Sequence, residues 1–269
     1  MDPAGAEAIR RTLPGGTRDR LEALELFAEI DSTNRHLLAA RRPAGDRLRV
    51  AIAGRQSAGR GRHGRRWVSD PEAGLWMSVA ASFAVLPQNP AAITLAAGAA
   101  VARALTGLGV AGIGLKWPND LVVADAKLGG ILVESTLTGG GATFVCGLGL
   151  NTRLPREALP GDGDFRPVAL DSLLDAAPEP LQLAAPMIEA LCEAFDAARA
   201  NRLAGLLALW RDYDRLRGRA VTVADAGRTQ SGIASGIADD GALLLQSGDA
   251  LTRVVAGTLR LQVPVGKAG

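Results

Sequence analysis

The stretch Gln56-Ser57-Ala58-Gly59-Arg60-Gly61-Arg62-His63-Gly64-Arg65-Arg66-Trp67 crowds arginines and glycines into one short segment. It has almost no apolar surface and great backbone freedom, so it cannot build a core. Guanidinium forks match phosphate and carboxylate oxygens bidentately, and glycine lets backbone N–H groups come close to a ligand. The chemistry on offer is capture of an anion by a segment that orders when it closes. The plain alternative is a solvated surface loop.

Lysine is the second signal. Lys and Arg together number 30, yet lysine occurs only at 116, 127 and 267. A compact ammonium does what a guanidinium cannot. The two internal lysines head the motifs Lys116-Trp117-Pro118-Asn119-Asp120 and Lys127-Leu128-Gly129-Gly130-Ile131-Leu132-Val133-Glu134. A third motif is Gly147-Leu148-Gly149-Leu150-Asn151, and a fourth, Asp31-Ser32-Thr33-Asn34, carries N-cap chemistry. Trp67, Trp76 and Trp117 lie in or beside these segments.

The elements that must position these residues can be read from pattern. Strands are predicted over 24–30, 48–53, 75–83, 114–117, 121–123, 130–135 and 143–150. Helices are predicted from the Asp31 cap through Arg41, and over 90–108, 181–201 and 203–217. From Gly218 the pattern turns to short β runs over 220–223, 231–237, 242–245 and 253–261, with a hairpin turn at Asp239-Asp240-Gly241. The expected organisation is a flexible start (1–20), a large α/β unit (21–217) and a small β unit (218–269). The last is of a size that needs support from a neighbour.

Composition removes other classes. The apolar fraction is 48%, the charged fraction 22% and the net charge +2, which suits a soluble globular protein with no strong global pull toward nucleic acid. The most apolar segment, 91–108, contains Arg103 and reads as a buried helix, since a membrane span needs about 20 apolar residues. Residues 1–16 lack a basic then apolar leader pattern, which points to the cytoplasm. Cys146 and Cys192 fit no metal or redox spacing and read as buried free thiols.

Five motifs in this order make the chain resemble the bacterial biotin protein ligases, the biotin–[acetyl-CoA-carboxylase] ligases, from about residue 30 onward. With so little chain before Asp31, the likeness is to their short form, which lacks an N-terminal DNA-binding domain. The resemblance implies an α/β (α+β) fold. Its catalytic unit would be a mixed sheet with helices on one face, like that of class II aminoacyl-tRNA synthetases, followed by an SH3-like β-barrel. It also implies a reaction. Biotin would be activated by ATP as biotinyl-5′-AMP and passed to a lysine of a biotin carboxyl carrier protein domain, by a homodimer that uses Mg²⁺.

The resemblance assigns roles residue by residue. Lys127, Arg62 and Asp120 would be catalytic, with Lys127 bridging the biotin carboxylate and the α-phosphate. Ser32, Thr33, Asn34, Gln56, Gly59, Arg60, Gly61, Arg62, Lys127, Gly130 and Gly147 would hold biotin. Arg60, Arg62, Trp67, Asn119, Lys127 and Asn151 would hold ATP, with Trp67 stacked on adenine. Asp120 would hold the metal or orient the acceptor lysine. His63 stands where the family is commonly basic, and reads as a spectator. Trp117 reads as packing beneath the site, and Lys116 as a helper without an assigned role. The rivals are a lipoate ligase or octanoyltransferase and a nucleic-acid-binding module. The charge balance and the lack of interleaved aromatics argue against the module.

Overall fold

The computed structural model of the protein describes residues 2–154, 166–225 and 227–262. Two helices, α1 (Pro3–Thr12) and α2 (Gly15–Arg20), open the chain. The loose start expected for 1–20 is therefore corrected. Asp2 caps α1 by accepting the Gly5 N–H at 3.0 Å, and Pro3 takes a first-turn position that needs no N–H partner. Ile9 and Leu13 are buried in the main core, which holds the segment down. Proline and glycine read as breakers only until their place in the first turn is known.

The large sheet contains β1 (Leu21–Ile30), β2 (Leu48–Gln56), β3 (Gly74–Phe83), β4 (Ile113–Lys116), β5 (Asp120–Val123), β6 (Ala126–Thr138), β7 (Gly141–Asn151) and the two-residue β8 (Arg166–Pro167). Its order is β1-β2-β3-β7-β6-β5-β4, with β8 beside β6. The β1–β2 and β6–β8 pairs are parallel and the others antiparallel, so the sheet is mixed as expected. Four further helices complete the unit: α3 (Thr33–Ala39), α4 (Ala92–Gly107), α5 (Ala184–Arg199) and α6 (Ala204–Asp212).

The helices do not all lie on one face, which corrects a second expectation. Val50, Ile52, Met77 and Val79 belong to the main core with α4 and α5. Their neighbours in sequence, Ala51 and Ala80, join Val145 and Leu37 of α3 in a separate buried cluster. Successive strand residues point to opposite faces, so α3 covers the other side. Alanine at 51 and 80 leaves room for that approach. Every residue of β3 is buried, as a strand covered on both faces requires. The expected helix through Arg41 stops at Ala39. Cys146 and Cys192 are buried and free, and burial pushes the Cys192 thiol up to about 12.

The C-terminal sheet holds β9 (Ala220–Asp225), β10 (Arg228–Ile237), β11 (Leu243–Ser247), β12 (Ala250–Val254) and β13 (Thr258–Leu261), in the order β12-β11-β10-β9-β13. All its pairs are antiparallel. The strand expected over 253–261 is two strands. The chain breaks at Gly257, whose φ of 140° L side chains rarely adopt. The turn at 239–241 closes as expected, with the Ala238 N–H donating to Ala242 O at 2.8 Å. This sheet does not stand alone. Val221, Val223, Leu243 and Leu259 are in the same buried cluster as the large sheet. Trp117 Nε1 donates to Gly241 O at 3.0 Å across the join. Among the described residues no helix is long and apolar enough to cross a membrane.

Candidate active site

A cavity of about 320 Å³ opens between the ends of β6 and β7, the arginine segment and the C-terminal sheet. Every site residue expected from sequence lines it except Gly59. Gly59 lies beneath the segment, where an added Cβ would stand 2.6 Å from Trp67 O. The floor follows from register. Antiparallel pairing sets Gly129 opposite Leu150 and Gly130 opposite Gly149, which brings the Lys127 and Gly147 motifs side by side. The pairing Asp120↔Gly130 then brings the Lys116 motif to the same edge.

Three charges meet there. Lys127 Nζ lies 2.7 Å from Asp120 Oδ1, and Lys116 Nζ lies 3.8 Å from Asp120 Oδ2. The Lys116 side chain is only 9% exposed. One carboxylate thus holds two ammonium groups at the mouth of a cavity. Such a pair can be pulled apart by an incoming anion, which offers the lysines a second partner. Lys127 Nζ also stands 5.2 Å over the Trp67 ring, within range of a cation–π contact.

The expected role of Asp120 as a metal ligand fits poorly here. Magnesium takes one or two carboxylates together with phosphate oxygens and water. Asp120 is instead committed to two lysines, whose charge opposes a dication at the same oxygens. Among the described residues no group of three or more His, Cys, Asp or Glu side chains gathers anywhere.

A polar network fills the far end. Gln56 Oε1 accepts the Thr33 N–H at 2.9 Å. A backbone N–H only donates, so this contact fixes the amide and leaves its NH₂ for the cavity. Ser78, fully buried on β3, lies 2.7 Å from Thr33 Oγ1 and 2.6 Å from Asn34 Oδ1. Its single proton must go to Asn34, whose amide oxygen can only accept. The Thr33 hydroxyl, which also lies 3.2 Å from Gln56 Oε1, spends its one proton inside this network, on Gln56 or on Ser78, and keeps a lone pair for a ligand. The Asn34 amide donates to Leu132 O at 3.2 Å and to Glu134 Oε2 at 2.8 Å. An added Cβ at Gly147 would stand 2.4 Å from Asn34 Oδ1, so glycine is what admits Asn34. Asn34, expected to touch a ligand, is spent largely on holding this end together. Ser32 accepts the Arg35 N–H at 3.4 Å and caps α3.

The arginine segment forms the roof as a small hairpin. Gly61 N–H donates to Arg65 O at 2.7 Å and Trp67 N–H to Gly59 O at 2.9 Å. His63 has a φ of 55° and is exposed at the tip of the hairpin, where it also borders the cavity. Arg60 Nη2 pairs with Glu134 at 3.1 Å, and its buried Nε has no partner among the described residues. Arg62 Nη1 donates to Gly257 O at 3.2 Å and Arg65 Nη2 to Thr258 Oγ1 at 3.4 Å. Burial lowers the Arg62 pKa, and the charge of Asp120 works the other way. A partly desolvated guanidinium facing a cavity can take up an anion. The Trp67 ring packs against Gly149 of β7, where an added Cβ would stand 2.5 Å from it. Its Nε1 is buried and unpartnered among the described residues.

Two expected nucleotide contacts are engaged elsewhere. Asn119 Nδ2 donates to Ile131 O at 2.9 Å, and Asn151 Nδ2 to Val168 O at 3.1 Å. Both side chains still reach the cavity wall. Reading the sequence missed Ser78, one of two serines in the apolar run Leu75–Phe83, and missed Glu134, quoted in its motif without a role. It also missed Gly257, Thr258, Leu259 and Arg260, which close the cavity from the C-terminal sheet. No local pattern announces these four residues.

Comparison with known proteins gives a consistent picture. Residues 26–151 match the biotin/lipoate A/B protein ligase family, and residues 217–258 match the biotin protein ligase C-terminal domain. The bifunctional ligase/repressor BirA of Escherichia coli is 36% identical over 265 residues, covering 96% of this chain and 78% of its own. The biotin–[acetyl-CoA-carboxylase] ligase of Mycobacterium tuberculosis is also 36% identical, covering 87% of each chain. Among solved structures, a biotin protein ligase from Aquifex aeolicus in complex with biotin and ATP superposes with a TM-score of 0.74. It is 23% identical and covers 90% of this chain and 99% of its own, a likeness of fold.

Proposed function

The chain belongs to the biotin/lipoate A/B protein ligase family, on its biotin protein ligase branch, and is a biotin ligase; from that premise we propose that it activates biotin with ATP as biotinyl-5′-AMP and passes it to a lysine of a biotin carboxyl carrier protein domain. In the first step a biotin carboxylate oxygen bonds to the α-phosphorus, and the bond to the β-phosphate oxygen breaks with loss of pyrophosphate. In the second, the acceptor amine bonds to the acyl carbon, AMP leaves with the electron pair, and the amine loses a proton.

The observation that carries this reading is the convergence of Lys127, Lys116, Arg60 and Arg62 on one cavity with a neutral polar end. Two anions must approach each other in the first step, and fixed cations offset their repulsion. Lys127 leaves Asp120 to bridge the carboxylate and the α-phosphate. Asp120 is then available to hold the acceptor ammonium. At the neutral end, Thr33 offers an acceptor and Gln56 a donor to the ureido ring, which has two N–H groups and one carbonyl. Leaving such buried groups unpaired costs about 1–3 kcal/mol each. Gly130 leaves space for the thioether ring and the valeryl chain, and Gly147 borders them while admitting Asn34. Trp67 and Asn151 border the adenine. The arginine segment opens to admit substrates and closes to keep water from the mixed anhydride.

Incubation with ATP, biotin and an apo carrier domain, with lipoate in parallel, tests the reading. Biotin-dependent pyrophosphate release and a mass increase on the carrier are expected. Label from lipoate alone would overturn it. Protease sensitivity at residues 56–67 should fall when adenylate forms, and an unchanged cleavage pattern would remove the closing segment.

A further inference from the structure

We infer that Glu134 is a positioning residue for the arginine segment: it fixes Arg60 from the rigid floor of the site. The inference rests on the proposed use of Arg60 toward the substrate anions. Glu134 sits on β6 within the ten-pair ladder to β7, opposite Val145, so its backbone is among the best held in the molecule. Its carboxylate meets Arg60 Nη2 at 3.1 Å from one oxygen and 3.2 Å from the other. It also accepts from Asn34 Nδ2 at 2.8 Å. Asn34 in turn is anchored by Ser78 at 2.6 Å and by Leu132 O at 3.2 Å. The carboxylate therefore cannot swing freely. It is aimed by a chain of contacts that starts in the buried strand β3.

Arg60 needs such an aim. It lies on a segment with glycine on either side, where a guanidinium would otherwise sample many positions. The pair is partly sheltered, with side chains 34% and 26% exposed. Both oxygens of Glu134 meet Nη2 alone, and Arg60 still lines the cavity, so the guanidinium is held at one nitrogen while its other nitrogens stay outside the pair. That is how a fork-shaped cation can be held from behind and still present a donor in front. Glu134 also offsets part of the mutual repulsion of Arg60, Arg62, Arg65 and Arg66 while the site is empty.

These two effects pull ligand binding and rate in opposite directions, which makes the role testable. Glu134→Gln keeps the shape and an acceptor for Asn34 but loses the charge that holds Arg60. The adenylation kcat should fall about 10-fold, since misplacement of a group by about 1 Å can cost up to 100-fold. The KM for ATP should stay level or fall, because one negative charge near the phosphates is gone. In an Arg60→Gln background the same substitution should change kcat less than about 2-fold, the mark of two residues acting as a unit. An equal loss in both backgrounds, or an unchanged kcat in Glu134→Gln, would overturn the inference. If Glu134→Gln does not fold, Glu134→Asp, which keeps the charge but retracts it from Arg60, takes its place in the cycle. Arg60→Gln alone separates the two readings. Full adenylation in that variant defeats the role proposed for Arg60. A crippled Arg60→Gln with an untouched Glu134→Gln defeats only the inference about Glu134.

Discussion

The floor and the roof of the cavity are built on opposite principles. The floor is two long strands, β6 and β7, paired without a break from Gly129↔Leu150 to Thr138↔Gly141. The roof is a hairpin of glycines and arginines held by a few backbone bonds and by contacts reaching 195 and 193 residues along the chain to Gly257 and Thr258. On the floor, most side chains are already partnered by protein. On the roof, Arg60 Nε and Trp67 Nε1 are buried with none among the described residues. A group that must hit one atom belongs on a rigid element, and a group that must move aside and return belongs on a loop. Lys127 and the arginines, alike in charge, should therefore fail in different ways when removed.

The largest effect should come from the floor. Lys127→Gln is expected to lower adenylate formation by about 100–1,000-fold, the scale for losing one fixed charge-stabilising donor, while biotin binding largely survives. Pyrophosphate exchange at the wild-type rate would show that the floor carries no chemistry. The roof should fail more mildly and differently. Arg62→Gly removes the contact to Gly257 O and should leave adenylation within about 10-fold of normal. Its signature is escape of adenylate, seen as label on bystander lysines in a mixed-protein assay. Unchanged specificity at an unchanged rate would erase the distinction between the two regions. The smallest effect belongs to the join beneath both. Trp117→Phe loses the hydrogen bond to Gly241 O, and should cost about 1–2 kcal/mol of stability in a denaturant titration. Adenylation should change less than in either of the other variants. A stability loss confined to neither sheet, with full activity, is the expected pattern; a large activity loss would make the join part of the site.

Much of the fold was legible. Periodicity located the strands and the longer helices, because each signal repeats within its own element. The missed features were those in which local and tertiary information conflict. Helix α1 begins at a proline and is held by burial of Ile9 and Leu13, which no window of sequence reveals. The placement of α3 on the second face depends on Ala51 and Ala80, residues unremarkable until the sheet is assembled. In the site, the charged and glycine-rich motifs were legible because they violate ordinary composition. Ser78 and Glu134 were not, since a serine in an apolar strand and a glutamate within a strand are ordinary.

What the sequence determined alone was the kind of chemistry: cations gathered where a core cannot form, lysine kept for two internal positions, glycine where something must pass close. Those are properties of residue type, and they need no partner to be read. What the tertiary structure decided was who holds whom. Arg60 meets Glu134 across 74 residues and Asn34 meets it across 100. A hydrogen bond is made or lost within a few tenths of an ångström. Only the register of β6 on β7, and the closure of the C-terminal sheet over the arginine hairpin, fixes distances on that scale.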